Sequence, residues 1–169
     1  SGGVLLGSTV EHPASRSAMA HWAEKLDRDY RLVSHDDALG LVSADAYAAA
    51  VTPDTCVATI LHTSPVTGMG MDVVAISAAI RAVAPECFII VDGIQHASHG
   101  LVDLVAADVD GYVISPYKVF SRHGYGVAWV SDRLPALGPE QLSAGPPASW
   151  EFGTPHTTAY APFPNVVTY

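Results

Sequence analysis

The sequence predicts an α/β fold, a mostly parallel sheet with helices on both faces. Short continuous apolar runs, of which Phe88-Ile89-Ile90-Val91 is the plainest, alternate with stretches whose apolar residues recur at helical spacing. Strands with no polar alternation are buried on both sides, which is the situation of parallel strands sandwiched between helices. The chain has 169 residues, 49% hydrophobic and 15% charged, enough for one domain with a sizeable core.

Val4-Leu5-Leu6 reads as a first buried strand. Ser15 is placed to cap a helix whose Met19, Trp22, Ala23 and Leu26 fall on one face. Tyr30-Arg31-Leu32-Val33 is a second strand, and Ser43 opens a short Ala-rich helix to Val51. Thr55 to His62 is an apolar run suited to a strand. Asp72 to Val83 is an amphipathic helix with Val73, Ile76, Ile80 and Val83 aligned. Phe88–Val91 is a strand that stops at Asp92-Gly93. A short helix over 101–107, a strand at Tyr112-Val113-Ile114 and a further strand over 126–130 follow. From Leu134 to Pro164 the chain turns rich in Pro and Gly and reads as a surface excursion.

A formal net charge of −9, with only 8 Lys and Arg, argues against a nucleic-acid partner. No apolar run approaches the ~20 residues of a membrane helix, and Ser1-Gly2-Gly3-Val4 has no signal-peptide character. Cys56 and Cys87 sit in apolar segments and read as structural free thiols, so a reducing, cytoplasmic location is expected. Neither G-x-G-x-x-G nor a Walker motif occurs, and no metal site is expected.

Ligands of open α/β sheets bind beyond the carboxyl ends of the strands. The strand ends here carry Glu11-His12, then His62-Thr63-Ser64-Pro65, then Asp92-Gly93-Ile94-Gln95, then Ser115-Pro116-Tyr117-Lys118. An acid, an amide, a hydroxyl, a histidine and a lysine thus converge on one edge. A strand-end carboxylate needs a cation to stay ionised out of water, and a lysine serving as a nucleophile needs its charge disfavoured.

The stretch Val91-Asp92-Gly93-Ile94-Gln95-His96-Ala97, continued by Val102-Asp103-Leu104, Ala107-Asp108-Val109-Asp110 and Ser115-Pro116-Tyr117-Lys118, resembles the class V aminotransferase group of fold-type I pyridoxal-phosphate enzymes. That group includes cysteine desulfurases, selenocysteine lyases, isopenicillin N epimerase-like proteins and kynureninases. The Asp92-to-Lys118 interval matches the desulfurase pattern without a gap. Glu11-His12 resembles the start of the family's E-H-H, and Trp150-Glu151-Phe152-Gly153-Thr154-Pro155 resembles F-E-x-G-T-P. The resemblance implies pyridoxal 5'-phosphate as cofactor, with Lys118 as the Schiff-base lysine and Asp92 paired with the pyridine nitrogen. It implies that Gln95 reaches the ring's phenolic oxygen, that His12 stacks on the ring and can carry protons, and that Ser115 binds the phosphate. Thr154 is expected on the phosphate of a neighbouring subunit, which makes the expected assembly a homodimer with composite sites.

Three features depart from the desulfurase pattern. Tyr117 stands where the motif has His, with a hydroxyl that still suits a phosphate, and Pro65 stands where many members have Asn. Family members also run to about twice this length. Residues 1–169 are therefore expected to be a partial cofactor-binding large domain, with a first strand and helix before Ser1 and a small domain after Tyr169. The implied substrate is an amino acid. Cleavage of a C–S bond is the favoured reaction, epimerisation or transamination the alternatives, and a non-catalytic scaffold the reading of another class.

Overall fold

The computed structural model describes residues 2–134 and 157–168. Six strands, β1 (Val4–Ser8), β2 (Asp29–Val33), β3 (Thr55–Leu61), β4 (Phe88–Asp92), β5 (Gly111–Ile114) and β6 (Val127–Val130), form one sheet. Their spatial order is β2-β1-β3-β4-β5-β6. All pairings are parallel except β5 with β6, so the sheet is the mostly parallel one expected. The helices are α1 (Pro13–Lys25), α2 (Ala44–Ala50), α3 (Val73–Val83), α4 (Leu104–Ala107), α5 (Thr157–Tyr160) and α6 (Phe163–Val167).

Side chains of a strand alternate between faces, and the packing divides accordingly. Leu6, Ala58, Ile60, Ile89, Val91 and Tyr112 point to one side and join Tyr47, Ile76 and Ile80 of α2 and α3 in the main core. On the other side Leu5 packs with Met19 and Ala23 of α1 in a smaller cluster. Thr59, Ile90, Asp92 and Val113 share that second face, as the strand register requires. The main core secures the sheet, and the α1 face is left to carry polar groups.

Two helix starts differ from expectation. Helix α1 begins at Pro13 and is capped by His12, whose Nδ1 accepts the Ala14 N–H at 3.1 Å. Ser15 lies inside its first turn, because the fixed φ of Pro13 already suits the opening position and an imidazole nitrogen serves as the cap acceptor. Helix α4 begins at Leu104, since the Asp103 carboxylate accepts the Val105 and Ala106 N–H groups and ends the extended lead-in there. Ser43 caps α2 as expected, through the Ala46 N–H.

Candidate active site

The carboxyl ends of the parallel strands deliver their following turns to one edge. Asp92 closes β4, and its Oδ1 accepts the Ile94 N–H at 3.0 Å, folding the chain into the turn that carries Gln95. The strand end is held from both sides: the His62 N–H donates to Asp92 O and the Gly93 N–H to Val113 O, each at 2.9 Å. Gly93 is obligatory here. A Cβ at this position would lie 2.1 Å from the Tyr112 ring, so any side chain would displace either that buried ring or the turn. After β5, a single 3-10 turn over Pro116–Val119 presents Lys118, and Phe120 at φ 66° ends it.

These turns and the start of α1 enclose a cavity of about 270 Å³. His12, Pro65, Asp92, Gln95, Ser115, Tyr117 and Lys118 all line it. The structure thus brings together every expected site residue except Thr154, which, with the surrounding motif, lies outside the described residues. Lys118 Nζ donates to Gln95 Oε1 at 3.0 Å and lies 5.9 Å from the Tyr117 ring centroid. Tyr117 is stacked on His123, centroid to centroid 4.1 Å. Because His12 Nδ1 accepts a backbone N–H, the proton of its neutral ring sits on Nε2.

No ion pair to Asp92 or to Lys118 forms among the described residues. A carboxylate and an amine therefore border one cavity without neutralising each other. The thiols take no part. Cys87 is fully buried, and burial pushes its thiol up to about 12; Cys56 is half-buried in β3 and receives a hydrogen bond from Arg28.

Two groups named at the strand ends have surroundings that the sequence does not foretell. Glu11 is buried behind the cavity, its carboxyl raised to about 7 by desolvation. Beneath the Asp92 turn, His62 is stacked on His96 with centroids 3.4 Å apart and bonded to Tyr112 Oη at 2.8 Å, and His96 bonds Thr63 at 2.9 Å. Burial, then the neighbouring His96, lowers His62 to about 4. His62 is therefore neutral at physiological pH, and the network braces the turn from the core side.

The model of the family Aminotransferase class-V matches residues 1–167. The chain belongs to this family. Class-V aminotransferases are generally pyridoxal-phosphate dependent. Over 90 residues the chain is 32% identical to a probable cysteine desulfurase of Mycoplasma genitalium, covering 53% of this chain and 22% of that protein. It is 26% identical over 185 residues to a probable cysteine desulfurase of Xylella fastidiosa, covering 99% of this chain and 43% of the relative. Its fold superimposes on the crystal structure of the cysteine desulfurase CsdA of Escherichia coli with a TM-score of 0.86 at 22% identity, over 99% of this chain and 45% of that one. The chain spans less than half the length of each of these class-V relatives. The sheet expected for the family's large domain is the one observed.

The residues present suit pyridoxal phosphate on structural grounds. Asp92 offers a carboxylate with no cation of its own, and Lys118 an amine turned toward the same space. Gln95, Ser115 and the His12 imidazole add hydrogen-bonding groups around it.

Proposed function

We propose that residues 1–169 are part of the cofactor-binding large domain of a pyridoxal-phosphate enzyme that cleaves the C–S bond of a cysteine-like amino acid. The observation that carries this reading is the placement of Lys118 and Asp92, each without an ion-pair partner among the described residues, on one cavity at the carboxyl edge of the sheet. The desulfurase relatives support the choice of reaction.

When bound, pyridoxal phosphate withdraws electrons from the bonds at the amino acid's Cα and weakens them. The chain's own residues then have separable tasks. Lys118 Nζ is the amine that holds the cofactor, and Gln95 Oε1 fixes its direction. The Asp92 carboxylate, which has no ion-pair partner among the described residues, would hold a proton on the cofactor's ring nitrogen. His12, anchored to the start of α1 by the Ala14 N–H, lines the same cavity, where it would lie against the cofactor and would offer an imidazole for proton movement. Ser115 and Tyr117 supply hydroxyls for the phosphate. Thr154 is assigned to a second subunit's phosphate, which makes the active assembly a dimer. A reducing compartment such as the cytoplasm suits the two free thiols; no helix among the described residues is long and apolar enough to cross a membrane.

Borohydride reduction of the cofactor-loaded protein, followed by peptide mapping, is expected to tag Lys118. A tag on Lys25, the only other lysine, sinks the assignment. Incubation with L-cysteine and an added thiol distinguishes the reactions: alanine with a persulfide of that thiol is expected, a second thiol then releasing sulfide as it forms a disulfide, whereas sulfide with pyruvate would mark β-elimination. Exchange of the Cα proton in deuterated water without sulfur release would move the reading to an epimerase. A cofactor-loaded species that remains monomeric in dilute solution would remove the composite site.

A further inference from the structure

Behind the cofactor cavity lies a smaller one of about 120 Å³, bordered by Glu11, Ser15, Thr59, Ile90, Asp92 and Val113. Glu11 is only 5% exposed. Its Oε1 accepts the Ser8 N–H at 3.0 Å, and its Oε2 is bonded by the Thr59 hydroxyl at 2.7 Å. No cation pairs with it among the described residues. The surroundings are built for this carboxyl. At Gly7 a Cβ would meet Tyr30 Oη at 2.8 Å and Thr59 Oγ1 at 3.2 Å, so the missing side chain leaves room for the hydroxyls. Tyr30 Oη is itself buried without a hydrogen-bond partner among the described residues.

The groups facing Glu11 are of one kind. Asp92 approaches from β4 with the same charge, while Tyr30 of β2 and Tyr47 of α2 are kept neutral by burial. Arg16 of α1 acts on Tyr30 and not on Glu11. Desolvation raises the Glu11 carboxyl to about 7, Asp92 adds to the rise, and the bonds from Thr59 and Ser8 oppose it. Two acids thus share one small cavity, and the ionisation of the outer one is felt by the inner.

We propose that Glu11 is a positioning residue of the Asp92 site, a buried acid that releases its proton to solvent when a cation settles against Asp92. In the released state the O–H bond of Glu11 is broken and its electron pair stays on the carboxylate, so the added positive charge is offset within the protein. The inference rests on reading the outer cavity as a cofactor site, since the protonated pyridine ring is the cation in question. Glu11 touches neither cofactor nor substrate and acts through Asp92.

The first test needs no cofactor. Carboxyl ¹³C NMR of the apo protein is expected to show Glu11 titrating near neutrality. Asp92→Asn should move that midpoint down, and Thr59→Val, which removes an opposing hydrogen bond, should move it up. A Glu11 midpoint in the ordinary carboxylate range, or one that ignores Asp92→Asn, overturns the inference alone. The second test is calorimetric titration with pyridoxal 5'-phosphate below the Glu11 midpoint, in buffers of different protonation enthalpy. The wild type is expected to release up to one more proton than Glu11→Gln, and its affinity to fall more steeply as pH drops, by up to about tenfold per pH unit. Equal proton release in the two proteins overturns the inference. Failure of the wild type to bind at any pH overturns the cofactor reading itself.

Discussion

Two aspartates stand at opposite ends of the sheet and are treated in opposite ways. Asp110, just before β5, is fully buried and surrounded by partners. Arg81 Nη2 pairs with it at 2.7 Å and Arg133 approaches at 3.5 Å. The Ile89 N–H and the Ser131 hydroxyl donate to it at 2.9 and 3.1 Å. Asp92, at the far end of β4, has one backbone N–H and no cation among the described residues. A carboxylate serving the fold draws its counter-charge from the chain, because burying it unpaired costs several kcal/mol. One that is half-buried on a cavity and left unpaired has room for a counter-charge from outside. The amino edge of this sheet is closed electrostatically, and the carboxyl edge is open.

That contrast predicts a double dissociation. Asp92→Asn keeps the acceptor for Ile94 but removes the charge, and is expected to cut turnover at least 100-fold, as losses of a preorganised charge at a reacting centre do. Its thermal stability should stay within about 1 kcal/mol of wild type, the usual range for a site that anchors no packing. Calorimetry and turnover of one preparation check both halves; an unfolded Asp92→Asn would erase the distinction.

Asp110→Asn is expected to do the reverse. Removing one member of a buried ion pair costs about 3–5 kcal/mol. Chemical denaturation should register this loss, while any molecules that remain folded still take cofactor on Lys118. A variant of native stability would mean that Arg81 and Arg133 find other partners.

The third effect is smaller and depends on pH. Glu11 binds its proton more tightly in the folded chain, about 7 against an ordinary 4.5, so across that window the folded state holds more protons than the unfolded one. Stability conferred by this group therefore falls as pH rises through the window, by up to about 3 kcal/mol. Glu11→Gln should flatten that part of the profile. His62 works in the other direction: lowered from 6.5 to about 4, it stays neutral in the fold while the unfolded chain takes up a proton, so its contribution is lost as pH falls between those values. Denaturation midpoints of the apo protein at a series of pH values, for wild type and each variant, separate the two.

The smallest effect lies away from both edges. Ser43→Ala removes the cap of α2 and is expected to cost about 1 kcal/mol without touching cofactor binding.

Much of this arrangement was legible in the residues. The strands announce themselves because apolar runs such as Phe88–Val91 have no polar alternation, and the turn chemistry at their ends places Asp92, Gln95 and Lys118 on one edge. What was not legible depends on register. Glu11 is legible as a strand-end acid, but its burial and its bond from Thr59 follow only once β1 is laid beside β3. The partners of Asp110 are not legible, since its arginines come from α3 and from beyond β6, distant in sequence. His62 and His96 meet only because β3 and β4 run parallel and end together. Ser15 misleads as a helix cap because propensity favours serine, whereas local geometry let His12 and Pro13 open the helix first.

The strand order also bears on how the chain is made. Synthesis runs from the amino end, and the strands from β3 to β5 extend one and the same margin: β3 beside β1, then β4 beside β3, then β5 beside β4. His12 leaves the ribosome before Lys118, with four of the six strands between them. No cavity exists to receive a ligand until β5 and its following turn have emerged. Until then the growing sheet presents an unpaired, apolar margin, first β3 and then β4, of the kind that pairs with other chains. A nascent polypeptide stalled before Lys118 would carry its hydrophobic edge exposed and have no small molecule to stabilise it.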